Sequence, residues 1–177
     1  MGTAAVVTAR LAVVAVAAGL IAGAAPARAD DPPSFAAGQL TVSGDVANPS
    51  TVTLDQLRQY PVRDQTVTFE SGSGTQHHTS PGAGLADVIV PAAPNVDAAA
   101  KHPMLPVAIL ATGSDGYAAV LAWGEVGPEL TATPPVVAYS EDGQALPQPR
   151  LVVPADRDGG RYVANLVDLR VVNPALG

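Results

Sequence analysis

From Gln39 onward, apolar and polar side chains alternate in short runs punctuated by Gly, Pro, Asn and Asp, the pattern of strands with one buried face. Leu40-Thr-Val-Ser-Gly44 opens the series, and Asp45 to Pro49 carries turn chemistry behind it. Ser50-Thr-Val-Thr53 leads into Leu54-Asp-Gln-Leu-Arg-Gln-Tyr60. Thr53 can cap that segment, Leu54 and Leu57 share one face and Pro61 ends it, which predicts a helix of about two turns. Val67 and Phe69 then alternate with Thr66, Thr68 and Glu70 in a strand over 62–70. Ser71-Gly-Ser-Gly74 turns that strand, and 75–80 returns as its partner. Pro81-Gly-Ala-Gly84 precedes a short helix, Leu85-Ala-Asp-Val-Ile-Val90, stopped by Pro91. Residues 94–106 read as a loop with a helical turn at 96–101.

The rest is sheet. Residues 107–111 and 117–121 flank Gly113-Ser-Asp-Gly116, and Asp-Gly between apolar runs is a strong hairpin signal. Residues 123–130 form a connector with limited helix, Val136-Val-Ala-Tyr139 is an apolar strand, and Glu141-Asp-Gly143 turns it. Leu151-Val-Val153 continues the sheet, and 161–172 closes the domain with Val163, Leu166, Leu169 and Val171 as core contacts. No repeat of solenoid length is present, and strands interleaved with short helices predict one mixed, mainly β domain of the α+β class over 39–177.

The first 29 residues break the pattern. Arg10 precedes an apolar run over 11–25, and Ala27-Arg28-Ala29 is a small-x-small cleavage site, so they read as an export signal cut after Ala29. Residues 30–38, acidic and proline-containing, form a flexible lead-in. Removing 29 of 177 residues leaves 148, the size of one domain. The signal takes two arginines with it, leaving seven Lys+Arg against 16 Asp+Glu and a net charge of about -9. Such a surface repels nucleic acid and anionic lipid, so neither is expected as a partner, and no membrane attachment is expected after cleavage. The expected location is secreted or cell-envelope, in the manner of a periplasmic protein. The chain has no cysteine, so packing alone stabilises it in an oxidising compartment.

Candidate chemistry is sparse. His77 and His78 are neighbours in a strand and point to opposite faces, which disfavours one metal between them, and His102 joins only through folding. Ser73 lacks a nucleophile-elbow setting. Asp115 reads as a turn residue. Arg157 and Arg161 bracket Asp158-Gly-Gly160. They read first as surface ion pairs with Asp156 and Asp158, and alternatively as an anion-receiving bend.

The phrases and their order resemble the sulfite-oxidase type molybdopterin-binding domain across nearly the whole mature chain. Leu40-Thr-Val-Ser-Gly44, Val46, Asn48-Pro49, Leu54-Asp-Gln-Leu57, Pro61, Gly84-Leu85 and Asp87-Val-Ile89 carry the first half of the resemblance. Thr112-Gly-Ser-Asp-Gly-Tyr117, Val136-Val-Ala-Tyr139, Asp142-Gly-Gln144, Arg150-Leu-Val-Val-Pro154 and Gly159-Gly-Arg-Tyr-Val163 carry the second. The resemblance implies a metal-binding cysteine within 71–80, where this chain has none, and basic residues before the last strand to hold the pterin phosphate. Arg161 takes the first basic position, Ala164 the second, and Asn165 stands where an aromatic residue is usual. A soft thiolate is hard to replace at such a metal. Exported enzymes of the family also use a twin-arginine signal, and Arg10 is alone.

The expectation is therefore a secreted, non-catalytic module that binds an unknown protein or a small anionic ligand, with no cofactor. The alternative is a molybdopterin-dependent oxidoreductase with a non-cysteine metal site, Arg161 gripping phosphate and Ser73, His77 or His78 near the metal. The resemblance further implies that 71–80 approaches 157–161. A shallow remnant pocket is expected there, involving His78, Asp115, Tyr117, Arg157 and Arg161.

Overall fold

The computed structural model describes residues 35–176, and the export signal and most of the lead-in lie outside them. Two sheets share one core. The first has five strands in the order β2-β1-β9-β5-β6 and the second four in the order β3-β4-β7-β8. The first is built from β1 (Gln39–Gly44), β2 (Ser50–Thr53), β5 (Ala108–Gly113), β6 (Ala118–Ala122) and β9 (Leu166–Val172). The second is built from β3 (Val62–Ser71), β4 (Gly74–Gly84), β7 (Val136–Glu141) and β8 (Gln144–Val152). Neighbours pair antiparallel except β1 with β9, which run parallel. Leu40, Val42, Ile109, Leu121, Leu169 and Val171 of the first sheet meet Val67, Phe69, Ala83, Val137 and Leu151 of the second in one buried cluster.

The helices are single turns: α1 (Leu54–Leu57), α2 (Leu85–Ile89) and α3 (Trp123–Val126). α1 is half the length predicted. Thr53 caps it in a reciprocal box with Gln56, but after Leu57 the chain tightens, with Gln59 and Tyr60 N–H reaching back three residues to Gln56 and Leu57. The helical turn predicted at 96–101 is absent. Asp97 instead closes a turn, its side chain accepting from Ala99 N–H and its carbonyl from Ala100 N–H.

Two strands run longer than their patterns predict. β4 continues through Pro81-Gly-Ala-Gly84, where a Cβ on Gly82 would overlap the Val137 carbonyl, so glycine permits the close pairing with β7. β8 begins at Gln144 and includes Pro147 and Pro149, which an outer strand tolerates because one side needs no amide. The predicted hairpins form. β5 and β6 pair Ala111 with Ala119 and Thr112 with Ala118, and Gly116 takes φ 84° at the turn. β7 and β8 close through Asp142 and Gly143, both at positive φ, the geometry that suits strand twist in a two-residue loop. Val163, Leu166, Leu169 and Val171 are fully buried as predicted.

Candidate functional site

The end of β3 and the segment before β9 come together. Glu70 N–H donates to the Arg157 carbonyl at 2.9 Å, and Glu70 forms an isolated parallel bridge with Asp158. The approach depends on Gly159, where a Cβ would lie 2.8 Å from the Phe69 ring. Phe69, itself buried, packs against Tyr162 with ring centroids 4.4 Å apart and faces His78 at 6.0 Å. The β3–β4 hairpin and 157–161 are thus neighbours, joined through Phe69.

Within that region the five candidate residues do not converge on one point: four are bonded locally, and the Arg157 side chain is not. His78 Nδ1 lies 2.7 Å from Asp142 Oδ2, and Asp142 Oδ1 accepts from Thr79 N–H at 2.9 Å. The Thr79 amide first, then His78, holds the Asp142 carboxyl below its ordinary value. His77 turns to the other side of the strand, its Nδ1 2.9 Å from Thr68 Oγ1, so the adjacent histidines do not converge. Asp115 Oδ1 accepts from Tyr117 N–H at 2.9 Å as a turn residue does, and the Tyr117 hydroxyl donates to the Gly160 carbonyl.

Arg161 is engaged by two carboxylates. Its Nε and Nη2 donate to Asp156 at 2.8 and 2.5 Å, and Nη1 donates to Glu125 at 2.6 Å. These bonds raise its pKa further above the range in which it could lose its proton. Glu125 also accepts from Ala122 N–H at 3.0 Å, so one carboxylate both closes the start of α3 and anchors the arginine. Arg157 is exposed, and among the described residues no carboxylate lies within ion-pair distance of it. Of the surface ion pairs expected between the two arginines and Asp156 and Asp158, only Arg161–Asp156 forms, and the Asp158 side chain bends back to accept from Gly160 N–H at 2.9 Å. Two clefts that do form, of about 470 Å³ beside β2 and about 170 Å³ around His102 and Trp123, are lined by none of the five candidates.

Sequence reasoning missed Glu125 and Tyr162. Glu125 lies 36 residues from Arg161 in a connector, and only folding brings the two together. Tyr162 is 7% exposed, its hydroxyl has no partner among the described residues, and burial, followed by the nearby Asp156, pushes its pKa up to about 12. Among the described residues, no three His, Asp or Glu side chains are grouped to hold a metal, and no helix is long and apolar enough to cross a membrane.

No family model matches the chain, and no curated protein does. A solved structure does match: the sulfane dehydrogenase SoxCD from Paracoccus pantotrophus superimposes with a TM-score of 0.62 at 18% identity, over 76% of this chain. The fold is shared. This chain spans 38% of that protein's chain, so the likeness concerns one portion of a longer molecule.

Proposed function

We propose that this chain is an exported, non-catalytic member of the sulfite-oxidase type fold, acting as a binding or accessory module. The observation that supports this most is the state of Arg161. The residue to which the resemblance assigns an anionic pterin phosphate pairs instead with Asp156 and Glu125. Two carboxylates around one arginine leave the spot with a net negative field, which repels phosphate.

The remaining residues do not fit a molybdopterin either. Between Ser71 and Ser80 there are hydroxyls, amides and two divergent histidines, none with the softness of a thiolate. Ala164 offers no second cation, Gly159 packs on the Phe69 ring, and the Gly160 carbonyl accepts from the Tyr117 hydroxyl. The shared fold thus supplies a scaffold whose former site, on this reading, has been filled by its own side chains.

Protein recovered from outside the cytoplasm of its native host should begin at Asp30 by mass spectrometry. It should neither oxidise sulfite nor reduce sulfoxides with artificial redox partners. Retention of residues 1–29 would remove the export half of the reading. Turnover that disappears in Arg161→Ala would remove the non-catalytic half.

A further inference from the structure

The cleft of about 470 Å³ lies beside β2, at the opposite edge of the five-stranded sheet from β6 and the Arg161 cluster. Its volume is within the roughly 300–1,000 Å³ of small-molecule sites. Asn48, Ser50, Thr51, Gln56, Gln59 and Tyr60 supply its polar lining, and Pro49, Val52 and Pro91 its apolar surface. None of these is charged, in a chain with 16 acidic and 9 basic residues.

The polar groups are also idle. Some hydroxyls elsewhere are paired, Ser43 with Asp168, Thr66 with Thr79 and Ser71 with Ser73. Around the cleft the side chains of Asn48, Ser50, Thr51, Gln59 and Tyr60 make no hydrogen bond with any described residue. Gln56 uses only Oε1, which accepts from Thr53 N–H at 2.8 Å, and its Nε2 stays free. The backbone adds one more pair of groups. Leu54 N–H donates to Gly38 across the β1–β2 ladder, and bonded pairs alternate, so the Thr51 amide and carbonyl face away from β1.

We propose that this cleft binds a neutral saccharide. Carboxamides and hydroxyls each offer both a donor and an acceptor, as sugar hydroxyls do, and an uncharged lining selects against ions of either sign. Pro49, Pro91 and the Tyr60 ring present apolar surface to the C–H face of a pyranose. An extended peptide is the weaker occupant, because strand addition needs a repeating row of backbone groups. β2 has four residues, and Thr53 N–H is already taken by Gln56, which leaves Thr51 alone. The inference goes beyond the proposed accessory role and does not depend on the cofactor question, since it concerns another edge of the fold.

The test is an NMR titration of the intact secreted chain with cellohexaose, laminarihexaose, maltohexaose and chitohexaose, each to about 10 mM. At least one should shift amide signals of 48–60 and Pro91's neighbours, leaving those of Gly160 and Arg161 in place. Asn48→Ala and Gln59→Ala, both at exposed positions outside the core, should each weaken that binding by about tenfold while the spectrum elsewhere stays native. Tri- to hexagalacturonate should bind more weakly than its neutral counterparts. No shift with any neutral sugar would overturn the proposal, as would equal loss-free binding in both variants, or binding only by an uncharged extended peptide such as Ala-Thr-Val-Thr-Val-Ala.

Discussion

Gly159 shows how much one missing Cβ decides. It lets 157–161 lie on Phe69, which in turn packs at a tilt against Tyr162. Gly159→Ala should destabilise the chain by about 1–3 kcal/mol through overpacking, with a loss of near-ultraviolet dichroism from the displaced rings; thermal unfolding followed by dichroism checks both. Asp142 acts at a second point. Its folded-state pKa is lowered by Thr79 N–H and His78, so the folded state holds the carboxylate more readily than the unfolded chain does. That contribution is present above the ordinary value of 3.8 and is lost as pH falls through the lowered one. Asp142→Asn keeps the turn geometry and the Thr79 acceptor, and removes the charge. The stability difference between wild type and variant, measured by denaturant unfolding at successive pH values, should therefore be largest near neutrality and shrink to nothing in acid.

At the scale of elements, the hairpins were legible because their turns carry local chemistry. Asp115-Gly116 and Asp142-Gly143 name their own geometry, and Gly116 at φ 84° is the position a side chain resists. Gly116→Val should cost about 1 kcal/mol or more, read as a lower midpoint in urea, while the open space around its Cβ position excludes a packing clash as the cause. Val163, Leu166, Leu169 and Val171 were legible for a similar reason, since alternation marks a buried face. What stayed hidden was non-local. Pro147 and Pro149 masked β8, because whether proline is tolerated depends on which side of the strand is free, and strand order is not written in the strand itself. Pro81 and two glycines masked the end of β4 in the same way. At the candidate site the residue types were readable, but the partners were not: Asp142 lies 64 residues from His78, and Glu125 lies 36 from Arg161.

The whole molecule is a mainly β domain of two sheets around one core, with a fold shared by a portion of a larger sulfane dehydrogenase. Its two ends of interest are chemically opposite. Beside β6, Glu125 and Asp156 pair with Arg161, and the Tyr117 hydroxyl donates to the Gly160 carbonyl, in the region that the family resemblance assigns to a pterin. Beside β2, uncharged polar groups stand without partners around an open cleft. On the proposed function, the fold would serve as a scaffold, Arg161 would be unavailable to an anion, and recognition would lie at another edge. The central claim is that no molybdopterin is held. Elemental analysis of the protein purified from its native host, expressed as metal per chain, tests it most directly. The account predicts no molybdenum above background, and molybdenum approaching one atom per chain would contradict it.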